Sequence, residues 1–508
     1  MERKCLVGIL VVFVLCLATR IFYVHEKSII EGDEFTSLTL AYNNTGWGDN
    51  TYAPDVAYTA DSLRLNLYTD DTSGFTGYAN DIKALWLDNR DPSHASLYYM
   101  LLRTSLLMVD HASIDEVVRW GCALNIMLFA ITFLFEFLSA KMLFRRHPHL
   151  IAAALLVAFM NPMSVSNALL LREYQLAECL AAVFFFIFLK IVGQVKTGKS
   201  ALSVTNVVMA SLAAAAFVSA GYFNTFLVIF LCCYLIYAAK RCGMVGKACA
   251  MVAICLPLSL LFATMLYSGF FNFLTDIRTA EVIGKAQGGG FVSNAIQAIK
   301  SGGIFLCLDI LNPLLIAAIA TLAVKSRKTP TVKLHQSQWP YFAIAACWFA
   351  TVLFFATWKE PRYVAPCCSL LCLTLIATAQ QMLAKANKFV LTAVMLITAA
   401  YPMASGRILY VHPSLPEDFQ WPEAKNLYLY GPDNDERSTL TLLVPYMRDN
   451  QTCTILQSTE EINAVCKSSD STTYVFGADF PELKSLPCFK CSYAFNPWQD
   501  IYEYQPNH

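Results

Sequence analysis

Runs of about twenty apolar residues, long enough to cross the hydrocarbon of a bilayer, recur along the chain between short polar segments. The first is Cys5 to Tyr23, and further runs lie near 120–143, 149–171, 174–193, 201–221, 224–240, 248–268, 303–323, 339–358, 363–384 and 389–405. The pattern predicts an α-helical polytopic membrane protein of about eleven transmembrane helices. Arg3 and Lys4 precede the first run, and Arg20 near its end and His25 just past it stand where a small-residue cleavage site would be, so it reads as a retained anchor. Residues 95–109, ASLYYMLLRTSLLMV, resemble a further run, but their short length, with Arg103 in the middle, suits an interfacial helix better than a crossing.

Basic residues then give the orientation, because they accumulate in short cytoplasmic loops. Lys141, Arg145 and Arg146 share one side with Lys190, Lys196 and Lys199, with Lys240, Arg241 and Lys247, with Lys325, Arg327, Lys328 and Lys333, and with Lys385 and Lys388. With that side cytoplasmic, the N-terminus is inside, and the segment 24–118 and the tail 406–508 are outside. Counting 95–109 as a span would invert every later cluster.

Composition agrees with the pattern. A chain that is 56% hydrophobic and 15% charged is not a soluble globular domain. Its net charge is zero and its charges are scattered, so no basic tract points to nucleic acid.

The expected division is a transmembrane domain over 1–405, with 24–118 as its outer loop, and a small extracytoplasmic α/β domain over 406–508. In the tail NLYLYG, TCTILQS and TTYVFGA read as short strands, with STLTLLVPYM and TEEINAVC as intervening helices, a parallel-sheet pattern. Cys453, Cys466, Cys488 and Cys491 lie there, where an oxidising location predicts disulfides. A Cys488–Cys491 link and a crossed pairing both remain open, and a zinc clip is the alternative. The other cysteines lie in or beside spans, as small apolar residues do, and no His/Cys/Asp cluster has convincing metal spacing. The outer segment FLTDIRTAEVIGKAQGGGF reads as a flap or a flexible turn, and Glu136 and Glu178 fall inside predicted spans, facing a cavity or a partner.

Five short motifs, all on the outer face of this topology, carry a resemblance. They are Asp33-Glu34 in GDEFTSLTLA just past the first span, His94, Leu97, Tyr98 and Tyr99 in DPSHASLYYMLL, Arg119 at the head of the second span, Arg172-Glu173 after the third, and Arg362-Tyr363 before a late span. In this order they resemble the C-type-fold (GT-C) membrane glycosyltransferases, in particular the protein O-mannosyltransferase and aminoarabinose-transferase-like group, glycosyltransferase family 39. Ala95 and Ser96 stand where that family has two prolines, and Gln175 and Ala177 where it often has a further Arg and Tyr.

The resemblance implies transfer of a sugar from a polyprenyl-phosphate donor to a lipid, glycan or protein acceptor, at the periplasmic or exterior face of a bacterial inner membrane. No cofactor or divalent metal is implied; the partners are membrane lipids and polyprenyl phosphate. Asp33 is then the candidate base for the acceptor hydroxyl, with Glu34 second. Arg119, Arg172 and Arg362, with Tyr363, are candidates for the donor phosphate, which a guanidinium fork matches. His94, Tyr98, Tyr99 and Glu173 are candidate substrate contacts.

Each residue has a plainer reading. Asp33 would cap a helix beginning at Glu34 or Phe35, Arg119 and Arg362 would anchor the interface, Arg172-Glu173 would be a local ion pair, and His94 a structural hydrogen-bonding group. Two other classes share the hydropathy. A transporter or lipid flippase predicts inverted repeats or paired half-spans, and a non-catalytic assembly subunit would have lost its base.

Overall fold

The protein is described here from a computed structural model that covers the chain apart from residues 1–2, 28–29, 44–51, 69–73, 92–93, 95, 108, 110–113, 199–201, 276, 287–290, 319–320, 322–337, 357, 385, 412–420, 445, 497–498 and 506–508. The three glycines of the outer flap, Lys199, Lys385 and the Lys325–Lys333 basic cluster therefore lie outside the described residues. The chain divides into two compact units, one made of 1–25, 92–98 and 122–409 and the other of 26–91, 99–121 and 410–508. Most of the loop 24–118 is thus grouped with the tail, and 92–98 with the first unit.

The first unit is helical. Its helices begin with α1 (Arg3–Glu26), and the second unit's α2 (Gly32–Asn43), β1 (Ala57–Thr59), α3 (Ala60–Tyr68), α4 (Phe75–Leu87) and α5 (Leu97–Ser105) intervene before α6 (Ile114–Leu143). There follow α7 (Ile151–Phe159), α8 (Pro162–Leu169), α9 (Tyr174–Lys196), α10 (Val204–Val218), α11 (Asn224–Arg241) and α12 (Val245–Leu266). After α13 (Ile277–Ala286) come α14 (Phe291–Ile310), α15 (Trp339–Phe355), α16 (Pro361–Leu383) and α17 (Lys388–Ala404). Among the described residues 7 helices are long and apolar enough to cross a membrane, or 8 with the bent pair α7–α8 counted as one. Three shorter apolar helices, α10, α15 and α17, coincide with three more of the predicted runs; the run expected at 303–323 overlaps the end of α14 and a further helical stretch over 313–318, with 319–320 and 322–323 outside the described residues. The protein is a multi-pass integral membrane protein.

Local chemistry explains the joints. Pro162 has no N–H to continue the helix and disfavours helical geometry at Asn161, so α7 stops, the chain bends by 59°, and Asn161 caps α8 by accepting from the Ser164 amide at 2.9 Å. Arg20 of α1, fully buried, closes the gap. Its guanidinium donates to the Phe159 and Ser164 carbonyls and to the Ser164 hydroxyl at 2.8–3.2 Å, and lies 3.8 Å over the Phe129 ring. The C-terminal ends of α9 and α11 finish on Gly198 and Gly243 at φ +76° and +70°, the left-handed geometry of a helix C-terminus.

The second unit carries a six-stranded sheet in the order β1-β3-β2-β4-β6-β5. β2 (Asn426–Tyr430), β3 (Thr452–Leu456) and β4 (Thr473–Gly477) are parallel, with α18 (Thr459–Ser468) crossing from β3 to β4, as the tail pattern predicts. Three strands escape that pattern. β1 comes from the outer loop and pairs antiparallel with β3, while β5 (Phe489–Asn496) and β6 (Gln499–Tyr504) extend the far side antiparallel. The segment read as an interfacial helix contains only α5, nine residues long, and its Arg103 is buried, donating to Asp81 at 2.7 Å and lying 4.7 Å over the Tyr42 ring.

Candidate active site

In the first unit the turn from α8 to α9 sets the position of Arg172. Leu170 is extended, its carbonyl accepts from the Asn125 amide at 2.7 Å and from the Arg172 N–H at 2.8 Å, and the Tyr98 hydroxyl donates to Asn125 Oδ1 at 3.1 Å. Tyr98, fully buried, therefore supports the turn. Arg172 and Glu173 are both buried, with Nε 3.5 Å from Oε2, and His94 Nε2 lies 3.2 Å from Arg172 Nη2 and 3.5 Å from Glu173 Oε1.

The next residue continues the cluster. Tyr174 meets the Tyr363 ring edge-on at 6.0 Å and lies within the electrostatic reach of both Arg172 and Arg362. Arg362, at the first turn of α16 behind Pro361, pairs with Glu360 at 2.9 Å and sits 5.5 Å over the Tyr363 ring. Five of the sequence-derived residues, His94, Arg172, Glu173, Arg362 and Tyr363, are thus joined through Tyr174 in one run of neighbours. Tyr174 and Glu360 were missed, although each adjoins a motif residue.

Two lysines at the end of α15 were missed as well, Lys359 just ahead of Arg362 and Lys285 from α13. Lys359 and Lys285 both donate to the Ala356 carbonyl, at 2.6 and 3.0 Å, at the end of α15. Partial burial, and secondarily the Lys285 ammonium, pushes Lys359 down to about 8. The KEPRY segment that offers Arg362 therefore also offers a second cation that loses its proton readily.

In the second unit α2 begins at Gly32, with its first helical bond running from the Phe35 N–H to the Glu31 carbonyl at 2.9 Å. Asp33 is therefore the second residue inside the helix and not its cap. The capping contact belongs to Glu34, whose Oε2 accepts from the Glu31 N–H at 2.9 Å, the back-reaching half of a capping box. The same oxygen accepts from Lys27 Nζ at 3.0 Å, and neither side chain is exposed; Lys27 also donates to the Tyr410 carbonyl. Glu34→Gln would leave the Lys27 ammonium buried without its counter-charge, a loss of about 3–5 kcal/mol. Thermal unfolding of the solubilised protein should show it as a clearly lowered transition.

The remaining candidates are accounted for individually. The Tyr99 hydroxyl donates to Asp91 Oδ2 at 3.2 Å. Asp81, another acidic residue of the outer loop, is bonded to Arg103. Arg119 is exposed on α6 beside Trp120, itself 53% exposed, an arrangement that suits an interface anchor. Among the described residues no group of three or more His, Cys, Asp or Glu side chains is placed to hold a metal ion.

Glu136 and Glu178 are fully buried in the first unit. Glu178 accepts from Asn167 at 3.0 Å and from Gln175 at 3.1 Å, Ser369 adjoins both carboxyl groups, and Arg20 is the neighbouring positive charge. One guanidinium can balance one carboxylate there. Glu136→Gln should leave the fold intact, whereas Arg20→Met should lower the unfolding transition sharply, because it orphans the carbonyls at the α7–α8 break. A parallel melt of the two variants checks this contrast.

No family model matches the chain, and no curated protein matches its sequence. Among solved structures the chain is similar to the crystal structure of ArnT from Cupriavidus metallidurans bound to undecaprenyl phosphate, at 13% identity and a TM-score of 0.44, over 97% of this chain and 97% of that one. It is similar to the apo state of the same protein at 12% identity and a TM-score of 0.43, over 98% of each chain. The functional reading below is built from this chain's own residues.

Proposed function

We propose that the protein is a membrane glycosyltransferase that moves a sugar from a polyprenyl-phosphate donor to a hydroxyl of a lipid, glycan or protein acceptor at the extracytoplasmic face. The observation that carries this reading is the pair of buried guanidiniums, Arg172 and Arg362, flanking Tyr174 where two apolar helices begin. Buried arginines are expensive unless something anionic repays them. Here Glu173 is buried beside Arg172, whereas the Glu360 that pairs with Arg362 is 42% exposed, and a guanidinium fork matches two phosphate oxygens.

In the reaction the acceptor hydroxyl attacks the anomeric carbon, the bond from that carbon to the phosphate oxygen breaks, and the polyprenyl phosphate leaves with its charge held by the arginines. The acceptor proton passes to Asp33. Glu34 holds α2 in place through Lys27 and the Glu31 amide. His94 orients Arg172, and Arg119 anchors the head of α6.

The assay is transfer from a labelled polyprenyl-phosphate sugar to membrane acceptors by the purified protein in lipid. Transfer should persist after divalent metals are chelated, since the guanidiniums supply the charge. Donor lipid that is bound and moved between leaflets, with its sugar–phosphate bond left whole, would instead establish the flippase class; donor binding with neither transfer nor movement would establish the assembly subunit.

A further inference from the structure

The four cysteines of the second unit fall on two faces of its sheet. Side chains alternate along a strand, and Tyr430, Leu456, Val475, Tyr502 and Tyr504 gather on one face in a cluster that also contains Cys466 and Cys488. Cys453 lies three positions before Leu456 in β3, so it points to the opposite face. Glu503, between Tyr502 and Tyr504, also points there, and Cys491 Sγ lies 3.3 Å from its Oε2. The register shift between Phe489 and Cys491 is what turns Cys491 away from the face that Phe489 packs on.

Strand order separates the second pair. From β3 to β5 the sheet runs β3-β2-β4-β6-β5, four steps of about 4.8 Å or roughly 19 Å, far beyond the roughly 4 Å between Cβ atoms that a disulfide requires. Cys466 and Cys488 have the opposite relation. Cys488 Sγ lies 3.9 Å from Asn463 Oδ1, one helical turn before Cys466 on α18, its thiol neighbours that of Cys466, and the Tyr504 side chain adjoins both.

We infer that Cys466 and Cys488 form a disulfide that ties α18 to the start of β5, while Cys453 and Cys491 remain thiols. The bond forms by exchange with a disulfide donor such as oxidised glutathione or an oxidised dithiol protein. The Cys488 thiolate attacks one donor sulfur and expels the other as a thiolate. The Cys466 thiolate then attacks the Cys488 sulfur of the mixed disulfide and expels the second donor thiolate. Two cysteine protons are lost and two electrons reduce the donor. Burial, and secondarily the neighbouring Cys488, pushes the Cys466 thiol up to about 12, which suits it to the second, intramolecular step, where proximity offsets a small thiolate fraction.

The test uses the full chain in detergent, treated with oxidised glutathione, alkylated, denatured, alkylated again with a second reagent and digested for mass spectrometry. The expected product is one linked peptide pair joining Cys466 to Cys488, with Cys453 and Cys491 carrying alkyl groups. A Cys466→Ala variant should instead accumulate glutathione on Cys488. Reduction of the linked protein should speed amide hydrogen exchange in α18 and β5, and should have no such effect in the Cys466→Ala, Cys488→Ala double variant. Alkylated Cys466 and Cys488 after oxidation, or a Cys488–Cys491 link, overturns the inference. Because the oxidant is supplied, the result does not depend on the side of the membrane that the tail occupies or on the proposed transfer reaction.

Discussion

Asp33→Asn is expected to keep the fold and the donor affinity and to lose about 10²–10⁴-fold in sugar transfer, the usual contribution of a positioned general base. The substitution is nearly isosteric, and it does not remove a helix cap. Asp33 is not the cap of α2, since the helix already starts at Gly32 and the capping contact is made by Glu34. The neighbouring carboxylate therefore serves as an internal control. Glu34→Gln should lose stability first and activity with it, while Asp33→Asn should lose activity alone. Transfer rates for both variants, each normalised to the fraction folded and to bound donor lipid, separate the two roles. Near-normal transfer by folded Asp33→Asn would place the base elsewhere. Asp81 and Asp91 in the outer loop would be the next to test, although Asp81 is bonded to Arg103 and Asp91 accepts from Tyr99.

The parts of this architecture that could be read from the sequence are those written locally. Apolar runs mark helices because length and hydropathy are properties of one segment, and the tail strands β2, β3 and β4 carry their own alternation. What could not be read arises between distant segments. β1 is three residues long and becomes a strand only because β3 offers it an edge almost four hundred positions later. That pairing joins part of the outer loop to the tail, and nothing local in either segment announces it. Arg103 signalled that 95–109 is no crossing, but its reason is a buried bond to Asp81, which no periodicity announces. Some signals were present and went unused. The Asn161-Pro162 step is a helix break with a known cause, yet a continuous apolar composition carried the span from 149 to 171 straight through it. Arg20 served as a marker of a missing cleavage site, when a lone arginine in an apolar helix also implies a polar partner inside. In the site itself, Arg172, Glu173, Arg362 and Tyr363 were found through short motifs, whereas Tyr174, which links them, looked like an ordinary first residue of a span.

Arg362→Ala is expected to weaken binding of the donor lipid by about 10- to 150-fold, the equivalent of one charge-assisted hydrogen-bonding partner at about 1.5–3 kcal/mol. It is a cleaner test than Arg172→Ala. Removing Arg172 leaves Glu173 buried at 4% exposure beside His94, so part of any loss would be the cost of an unpaired carboxylate, whereas Glu360 is 42% exposed and can be hydrated when Arg362 is gone. Lysine at position 362 should recover only part of the affinity, because a point charge replaces a planar fork that grips two oxygens. Arg119→Ala sets the background. That side chain is exposed beside Trp120, and its removal should change binding by no more than about 0.5 kcal/mol, the ordinary effect of a surface substitution. Titrating a fluorescent polyprenyl phosphate into each variant in lipid nanodiscs gives the three affinities directly. A drop for Arg362→Ala no larger than that for Arg119→Ala would return Arg362 to the role of an interface anchor and leave the buried guanidinium of Arg172 as the sole candidate for the phosphate.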